Sequence, residues 1–306
     1  MSLPKQCPLC NVGAEQQAVV TSHVYGAKKS DKRAFFYCMN CDVRYQYPSL
    51  TPEEESEFYA AEFEGFMASR TGEIGGWNNA EAHIFANEQT RLRRMVYLEP
   101  YLNGNPRILE VGCSSGFMLY PLIEAGHECI GVEPSGVFGK FLNQRGISTH
   151  ASMAELRESM ADPKFDLIMH FFVLEHISDP LEFLKTQLNL LEPGGKILFE
   201  IPNVADPIYS VYDIPAFERF YWSVAHPWYF SESSLEYLLR ELGSPYKILR
   251  DQRYDLSNHM IWARDGRPGG MERFSDIFGS ELDKSYKQAL IKSGKCDTLV
   301  GIITKE

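Results

Sequence analysis

Four of the seven cysteines form two CxxC pairs near the N-terminus, Cys7/Cys10 and Cys38/Cys41. Each pair places two thiolates on one tight turn, so both sulfurs can bind the same ion, and two such turns complete the tetrahedral site that zinc favours in structural roles. All four positions are cysteine, which leaves no open coordination position, so we predict a structural zinc. The alternatives are two redox pairs or a chance arrangement.

Between the cysteine pairs, residues 17–25 and 33–37 are rich in β-branched and aromatic side chains and predict a β-hairpin. A unit this small buries too little apolar surface to fold unaided, so the metal would organise it. The three other cysteines stand singly. Cys113 and Cys129 lie in apolar strand contexts, where a small buried side chain is expected.

A second set of candidate residues surrounds the glycine-rich turn GCSSG (112–116), which follows the apolar segment 107–111. Such a turn lets the backbone approach a ligand closely, while the N-terminus of the next helix faces it. Glu110 precedes the turn, and Glu133 ends the next apolar segment, where an acid can accept hydrogen bonds from both ribose hydroxyls. An NAD enzyme would also need that acid, but GCSSG does not fit the G-x-G-x-x-G fingerprint.

From residue 107 the chain alternates apolar strand segments with helical ones, the pattern of a parallel, doubly wound sheet. The strands are predicted over 107–111, 128–133, 165–171, 196–201, 258–264 and 298–304, and the helices over 116–125, 136–145, 179–191 and 231–242. Upstream we predict an acidic helix over 53–66, a hinge at 71–76 and a long helix over 79–102. The predicted organisation is a zinc-ribbon module (1–47), a linker (48–78) and a main domain (79–306).

Four motifs of the main domain resemble those of class I S-adenosylmethionine-dependent methyltransferases. They are ILEVGCSSG (108–116), GVEPS (131–135), FDLIMHFFVLEHISDP (165–180) and LEPGGKILFEIPN (191–203). In the first, Ser114 replaces the middle glycine, which fits if its φ is negative. The resemblance implies an α/β fold, a Rossmann-like seven-stranded sheet with helices on both faces, closed by a C-terminal hairpin and preceded by the zinc ribbon.

The same resemblance implies the cofactor contacts. Glu110 would orient the aminoacyl end of S-adenosylmethionine and Glu133 would hold the ribose. The remaining contacts would come from the glycine turn, the segment after Glu133, a looser adenine pair and the end of the 165–171 strand: Gly112, Cys113, Ser114, Gly116, Pro134, Ser135, Ser152, Met153, His170 and Phe171.

The segment HPWYFS (226–231) is similar to a block of the zinc-containing sugar C-methyltransferases, in the methyltransferase type 23 group. That block reads His-Glu-His with a Tyr upstream; here only His226 is kept, which argues against C-methylation and favours an O- or N-acceptor. His226 is the predicted base, because an unperturbed imidazole has a pKa of about 6.5. Tyr221 is a candidate for assisting it in catalysis. His176 is a further candidate, for which bracing the loop is the favoured role, as it is for Glu175. His83 is expected at the surface or as a cap.

The aromatic run 209–230 suggests a stacking surface for a ring-shaped acceptor, beside the plainer interpretation as a hydrophobic lid. The formal net charge of -11 argues against a nucleic-acid partner and favours a small-molecule acceptor, such as a sugar-derived or other secondary metabolite. No run of about 18 apolar residues or leader-like start is present, so no membrane partner and a cytoplasmic location are expected.

Two other functions stay open at this point. Some ribosomal RNA methyltransferases also carry a cysteine-liganded ribbon before this domain, so RNA is an alternative acceptor. A non-catalytic cofactor-binding scaffold is the other alternative. The acceptor, the methylated atom and the oligomeric state are not indicated by the sequence.

Overall fold

The computed structural model describes residues 3–27, 32–59, 65–67 and 79–306. The hinge predicted at 71–76 lies outside the described residues, as does part of the helix predicted over 53–66. None of the helices in the described ranges is long and apolar enough to cross a bilayer.

The strands, in chain order, are β1 (Gln17–Thr21), β2 (Ala34–Cys38), β3 (Arg44–Tyr47), β4 (Arg107–Val111), β5 (Glu128–Val132), β6 (Thr149–His150), β7 (Phe165–Phe171), β8 (Leu191–Pro202), β9 (Trp228–Tyr229), β10 (Tyr246–Asp251) and β11 (Thr298–Thr304). The helices are α1 (Pro52–Glu57), α2 (Ala80–Ala86), α3 (Glu88–Leu98), α4 (Leu119–Glu124), α5 (Gly136–Gln144), α6 (Met153–Ser159), α7 (Pro180–Leu190), α8 (Pro207–Ser210), α9 (Pro215–Tyr221), α10 (Glu232–Glu241), α11 (Leu256–Asp265) and α12 (Ser275–Ser293).

The main sheet has seven strands in the order β10-β11-β8-β7-β4-β5-β6. Strands β8, β7, β4, β5 and β6 are parallel, whereas β11 is antiparallel to both β8 and β10. Strand β10 therefore runs in the direction of β8. The carboxyl ends of β4, β5, β7, β8 and β10 meet at one edge, which is where open α/β sheets bind ligands.

The central strands are buried on both faces, as expected of parallel strands covered by helices. Side chains such as Leu109 and Ile168 pack towards α7 and α10, while Ile108 and Leu167 pack towards α3, α4 and α5. The predicted seven-stranded α/β sheet is confirmed. The predicted bounds of β4 and β7 match the structure, and the strand predicted over 128–133 is one residue shorter.

The strand predicted over 258–264 is wrong, because this segment lies within helix α11. Asp255 caps the helix by accepting a hydrogen bond from the backbone N–H of Asn258 (2.7 Å), and Gly266 ends it with a φ of +62°. These two capping residues decide the local conformation. The hairpin partner of β11 is instead β10, which lies upstream of this helix.

A second, smaller sheet has the order β1-β2-β3-β9. The predicted hairpin corresponds to β1 and β2, and β3 extends it. The fourth strand, β9, belongs to the segment HPWYFS and pairs with β3 through Arg44–Tyr229 and Tyr45–Trp228. The N-terminal module and the main domain therefore share a sheet, which crosses the boundary predicted at residue 47.

Candidate functional site

The four N-terminal cysteines converge. Their sulfur atoms all lie within 4.8 Å of one another, with Cys7 Sγ 3.8 Å from Cys41 Sγ and Cys10 Sγ 3.5 Å from Cys38 Sγ. A zinc tetrahedron with bonds of about 2.3 Å has sulfur–sulfur edges of about 3.8 Å. This donor set fits a closed, all-thiolate zinc site.

The glycine-rich turn is fixed by Glu133. Its carboxylate accepts hydrogen bonds from the backbone N–H of Ser114 (2.6 Å) and of Ser135 (2.8 Å), so one side chain ties the turn after β4 to the start of α5. Gly112 and Gly116 have φ near +73° and +75°, and Ser114 has a φ of +45°. The condition set for Ser114, a negative φ, is therefore not met: this residue occupies the left-handed region, and its N–H donates to Glu133.

Glu110 lies at the end of β4 with a side chain that is 2% exposed, and its Oε2 has no hydrogen-bond partner among the described residues. Burial raises the pKa of this carboxyl well above its usual range, whereas the nearby Arg94 guanidinium opposes the shift. Arg94 itself donates to Glu200 on β8 (2.9 Å) and lies over the Phe171 ring (4.1 Å). Helix α3 thus places a cation between the ends of β7 and β8 and near Glu110.

His83 on α2 is buried, not at the surface as expected. Its Nδ1 lies 2.8 Å from Ser115 Oγ, and its ring packs against Phe117 and Phe138. Burial lowers the pKa of His83 to about 4, so the ring is neutral at pH 7. Helix α2, at the start of the main domain, is thereby bonded to the glycine-rich turn.

The other predicted cofactor residues differ in exposure and in local role. Pro134 is exposed beside Glu133, and Ser135 caps α5. Ser152 caps α6, with the half-buried Met153 beside it. The side chain of Cys113 is buried, so this residue can offer a ligand only its backbone.

His170 and Phe171 point to opposite faces of the sheet. His170 is fully buried, stacked on Phe199 (5.0 Å between centroids) and against Phe183 of α7. This packing leaves its ring no path to a ligand, which contradicts a contact with the cofactor. Phe171 packs under Arg94 on the other face.

At the same edge of the sheet, Glu175, His176 and His226 come together. One ligand-capable atom from each lies within 4.8 Å of those of the other two, and the two imidazole rings meet edge to face with centroids 4.5 Å apart. Glu175 is 1% exposed, and neither carboxylate oxygen has a hydrogen-bond partner among the described residues. Burial raises the pKa of Glu175 to about 8. Such a group can pass a proton between its members or hold a divalent cation.

The tautomer of His176 follows from its contacts. Its Nδ1 lies 2.7 Å from the Ala225 carbonyl oxygen, which can only accept, so Nδ1 carries the proton. The Tyr59 hydroxyl, 2.7 Å from the same nitrogen, donates to the same carbonyl (3.0 Å). In the neutral ring, the lone pair is then on Nε2, which lies 4.0 Å from Glu175 Oε1.

The backbone around His226 is held by the N-terminal module. Tyr25 exchanges two hydrogen bonds with it, donating to the Trp222 carbonyl (2.6 Å) and accepting from the N–H of Val224 (2.9 Å). Gln46 on β3 donates its backbone N–H to Pro227 (2.8 Å). Within residues 221–230, only His226 is not buried. The N-terminal module therefore fixes the turn that presents this imidazole.

Tyr221 lies in an aromatic cluster and is linked to His226 through the Tyr229 ring, whose centroid is 4.7 Å from that of Tyr221 and 5.6 Å from that of His226. Its ring stacks on Tyr209 and Phe217, and its hydroxyl faces the Asn203 carbonyl (3.5 Å). Most rings of the run 209–230 are equally buried, including Trp222, Tyr229 and Phe230. Their burial contradicts an acceptor-stacking role for these rings and fits the plainer interpretation as a hydrophobic lid.

Sequence reasoning missed Tyr59 and undervalued His83 and Glu175. No local motif marks Tyr59, which stands in the acidic segment 53–66 and reaches His176 only through the fold. For His83, the apolar residues of its segment gave no signal, because Phe85, Leu92 and Val96 are exposed while His83 is buried.

Comparison with known proteins agrees with this geometry. A family described as a methyltransferase domain matches residues 81–244, more than half of the chain. The ubiquinone biosynthesis O-methyltransferase of Ruegeria pomeroyi is 28% identical over 148 residues, covering 45% of this chain and 59% of that protein. The tRNA U34 carboxymethyltransferase of Azotobacter vinelandii is 31% identical over 145 residues, covering 45% and 44% respectively. The chain thus spans about half the length of the curated relatives it matches.

Solved structures share the fold. An S-adenosylmethionine-dependent methyltransferase from Archaeoglobus fulgidus has a TM-score of 0.50 at 22% identity, covering 72% of this chain and 94% of its own. A plantazolicin methyltransferase in complex with SAH has a TM-score of 0.51 at 18% identity, covering 82% and 94%. The matching family domain, the seven-stranded sheet and the glycine-rich turn held by Glu133 agree, and the chain belongs to the methyltransferase domain family.

Proposed function

We propose that this protein transfers a methyl group from S-adenosylmethionine to a small-molecule acceptor, at an oxygen or nitrogen atom. The observation that carries the proposal is the placement of two groups at one edge of the sheet. The glycine-rich turn held by Glu133 lies after β4, and the cluster of Glu175, His176 and His226 lies beyond β7. A cofactor site and a proton-accepting site are thereby adjacent.

In this proposal, Glu133 holds the ribose through carboxylate oxygens that now accept from Ser114 and Ser135. Glu110 and the backbone of Gly112 to Gly116 face the aminoacyl end, and Pro134 and Ser135 flank the adenosine. Ser152 and Met153 are kept as the looser adenine pair, and Phe171 for the methionine portion. His170 is omitted because it is enclosed by Phe183 and Phe199.

When bound, S-adenosylmethionine supplies a methyl group already activated by its sulfonium. The acceptor atom forms the new bond to the methyl carbon as the carbon–sulfur bond breaks, and the electron pair of that bond stays on sulfur. The chain's residues supply alignment and a base. His226 accepts the proton released by the acceptor, while His176, held by Ala225 and Tyr59, braces the loop beside it.

We further propose a structural zinc on the four N-terminal cysteines, supported by their sulfur–sulfur distances. Its role is to hold β2 and β3, and through β9 the turn that carries His226. The division into a zinc ribbon, a linker and a main domain remains a proposal. The three parts follow one another in the sequence, and the sheet β1-β2-β3-β9 joins the ribbon to the main domain.

The test is transfer of labelled methyl from S-adenosylmethionine into fractionated extract, comparing the wild type with His226→Gln. The matched control is His150→Gln, a half-buried histidine on β6. Label in the small-molecule fraction that is lost in His226→Gln and kept in His150→Gln supports the proposal. Label in nuclease-sensitive material indicates an RNA acceptor instead. No label, with S-adenosylhomocysteine still bound, indicates a scaffold.

A further inference from the structure

Arg253 follows β10 by two residues, at the same edge of the main sheet as the candidate site. Its guanidinium reaches across the ends of β11 and β8 to Phe172, the residue immediately after β7, with Cζ 4.1 Å from the ring centroid. Phe172 is three residues before Glu175 in the chain. The arginine therefore lies beside the loop that carries Glu175 and His176.

The backbone on both sides of this contact is fixed. Asp297 accepts hydrogen bonds from the backbone N–H groups of Arg253 (3.0 Å) and Tyr254 (2.9 Å). Phe172 has a φ of +57°, rare for an aromatic residue, and its N–H donates to the Glu200 carbonyl (2.8 Å). Backbone strain of this kind concentrates at functional sites. The guanidinium also lies over the Tyr254 ring, with Cζ 4.7 Å from its centroid.

The charge of Arg253 distinguishes it from its neighbours. Arg93 and Arg94 form ion pairs with Glu200, and Arg93 also pairs with Asp251. Among the described residues, no carboxylate lies within 4.0 Å of the Arg253 guanidinium, and its side chain makes one hydrogen bond, from Nη2 to the Tyr254 hydroxyl (2.9 Å). Burial acts to lower the pKa of Arg253, but nearby charges, including Asp297 and Glu200, raise it above its usual value, so the side chain stays a cation. Its Nε–H and Nη1–H groups have no acceptor among the described residues, so they can donate to a ligand.

We propose that Arg253 binds a carboxylate of the acceptor, so that the substrate class is an anionic, carboxylate-bearing small molecule. The planar guanidinium, held in place by two rings, can donate two parallel hydrogen bonds to a carboxylate. The acceptor would then extend from Arg253 past the Phe172 ring to His226. That the bound anion is the methyl acceptor rests on the proposed function. The test measures anion binding separately from methyl transfer.

The first experiment measures binding of two probes, benzoate and its neutral isostere benzamide, by calorimetry in the presence of saturating S-adenosylhomocysteine. We expect benzoate to bind the wild type at least about tenfold more tightly than Arg253→Gln, with benzamide indifferent to the change. Arg253→Lys, which keeps the charge without the planar fork, should recover part of the affinity. The matched control is Arg250→Gln on β10, which removes an exposed pair with Glu232.

Equal benzoate affinity in the wild type and Arg253→Gln, or no benzoate binding by the wild type, would overturn the proposal, provided that the melting temperatures agree. A loss of S-adenosylhomocysteine affinity in Arg253→Gln without a loss for benzoate would also overturn it, because the arginine would then hold the cofactor's own carboxylate. In the labelled-extract assay, the product should be retained on an anion exchanger. A neutral product would overturn the inference and leave the proposed function standing. Absence of any label, with benzoate binding intact, would contradict the proposed function and leave the anion site at Arg253 standing.

Discussion

The two sides of the candidate site are built in different ways. On the cofactor side, Ser114 and Glu133 are 19 residues apart and belong to one strand–helix–strand unit. On the acceptor side, Tyr59 and His176 are 117 residues apart, and Tyr59 and Ala225 are 166 apart. The first geometry is set by local chain folding, whereas the second exists only after distant segments have packed together.

The two sides therefore depend on different parts of the chain. The glycine-rich turn is held by β4, β5 and Glu133, within residues 107–135, and by the contact of His83 with Ser115, all of them inside the main domain predicted at 79–306. The turn carrying His226 is held by Tyr25, Gln46 and Tyr59, all of them outside the main domain predicted at 79–306. Damage to the N-terminal module should therefore impair the acceptor side and spare the cofactor side.

The largest effect is expected from removing the metal proposed for the four cysteines, since structural zinc contributes about 10–16 kcal/mol to the folding of small zinc-dependent units. Chelation under reducing conditions should abolish methyl transfer and speed amide exchange over residues 222–229 by at least about tenfold. Peptides from β4 and β5 should keep their protection, and S-adenosylhomocysteine should still bind. Unchanged exchange at 222–229 would show that the turn does not depend on the metal.

The next largest effect is expected on the opposite side. Glu133→Ala removes a carboxylate positioned to accept from the ribose, and charge-assisted hydrogen bonds contribute about 1.5–3 kcal/mol each, so affinity for S-adenosylmethionine should fall about 100-fold. Calorimetric titration measures it, with the exposed Glu124→Ala as the matched control. Equal affinities in all three proteins would remove Glu133 from the cofactor site.

Tyr59→Phe should have a smaller effect on activity, because it deletes only the hydroxyl that contacts His176 and the Ala225 carbonyl. One such hydrogen bond contributes about 0.5–1.5 kcal/mol, so kcat should fall roughly three- to tenfold. Cofactor affinity should not change, which is the distinguishing readout. A variant that loses cofactor affinity instead would contradict the separation of the two sides.

The last expected effect, which appears only in acid, is a pH dependence of stability linked to His83. Burial lowers its pKa in the folded state to about 4, against about 6.5 in the unfolded chain. The unfolded state therefore binds more protons between pH 6.5 and 4, and this contribution to stability is complete above pH 6.5 and lost as the pH falls towards 4. His83→Asn should show a shallower decline in the free energy of unfolding over that range, measured by urea titration.

The matched control for this measurement is Gln144→Asn, an exposed position without a titratable group, and it should keep the wild-type slope. The buried His170 and His259 also have lowered pKa values, both because of burial, so the decline should be reduced in His83→Asn but not abolished. An unchanged slope in His83→Asn would show that the ring is not held neutral by its place against Ser115.

Much of the sheet could be predicted because its signals are local. The apolar segments ending at Val111 and Phe171 identified β4 and β7 to the residue. The 258–264 segment was misjudged because its apolar content suits either conformation, and the caps at Asp255 and Gly266 decided for a helix. His170 was misplaced because a strand's sequence does not say which face of the sheet the ligand approaches.

The sequence by itself determined the family of the chain, the order of the central strands' motifs, and the residues around the glycine-rich turn. These depend on short segments in which residue type, spacing and backbone conformation are coupled. Only the tertiary structure decided that Tyr59, Glu175, His176 and His226 meet, that β9 completes the sheet of the N-terminal module, and that Arg253 lies over Phe172. The physical reason is that such contacts follow from how distant segments pack, which no local pattern of residues encodes.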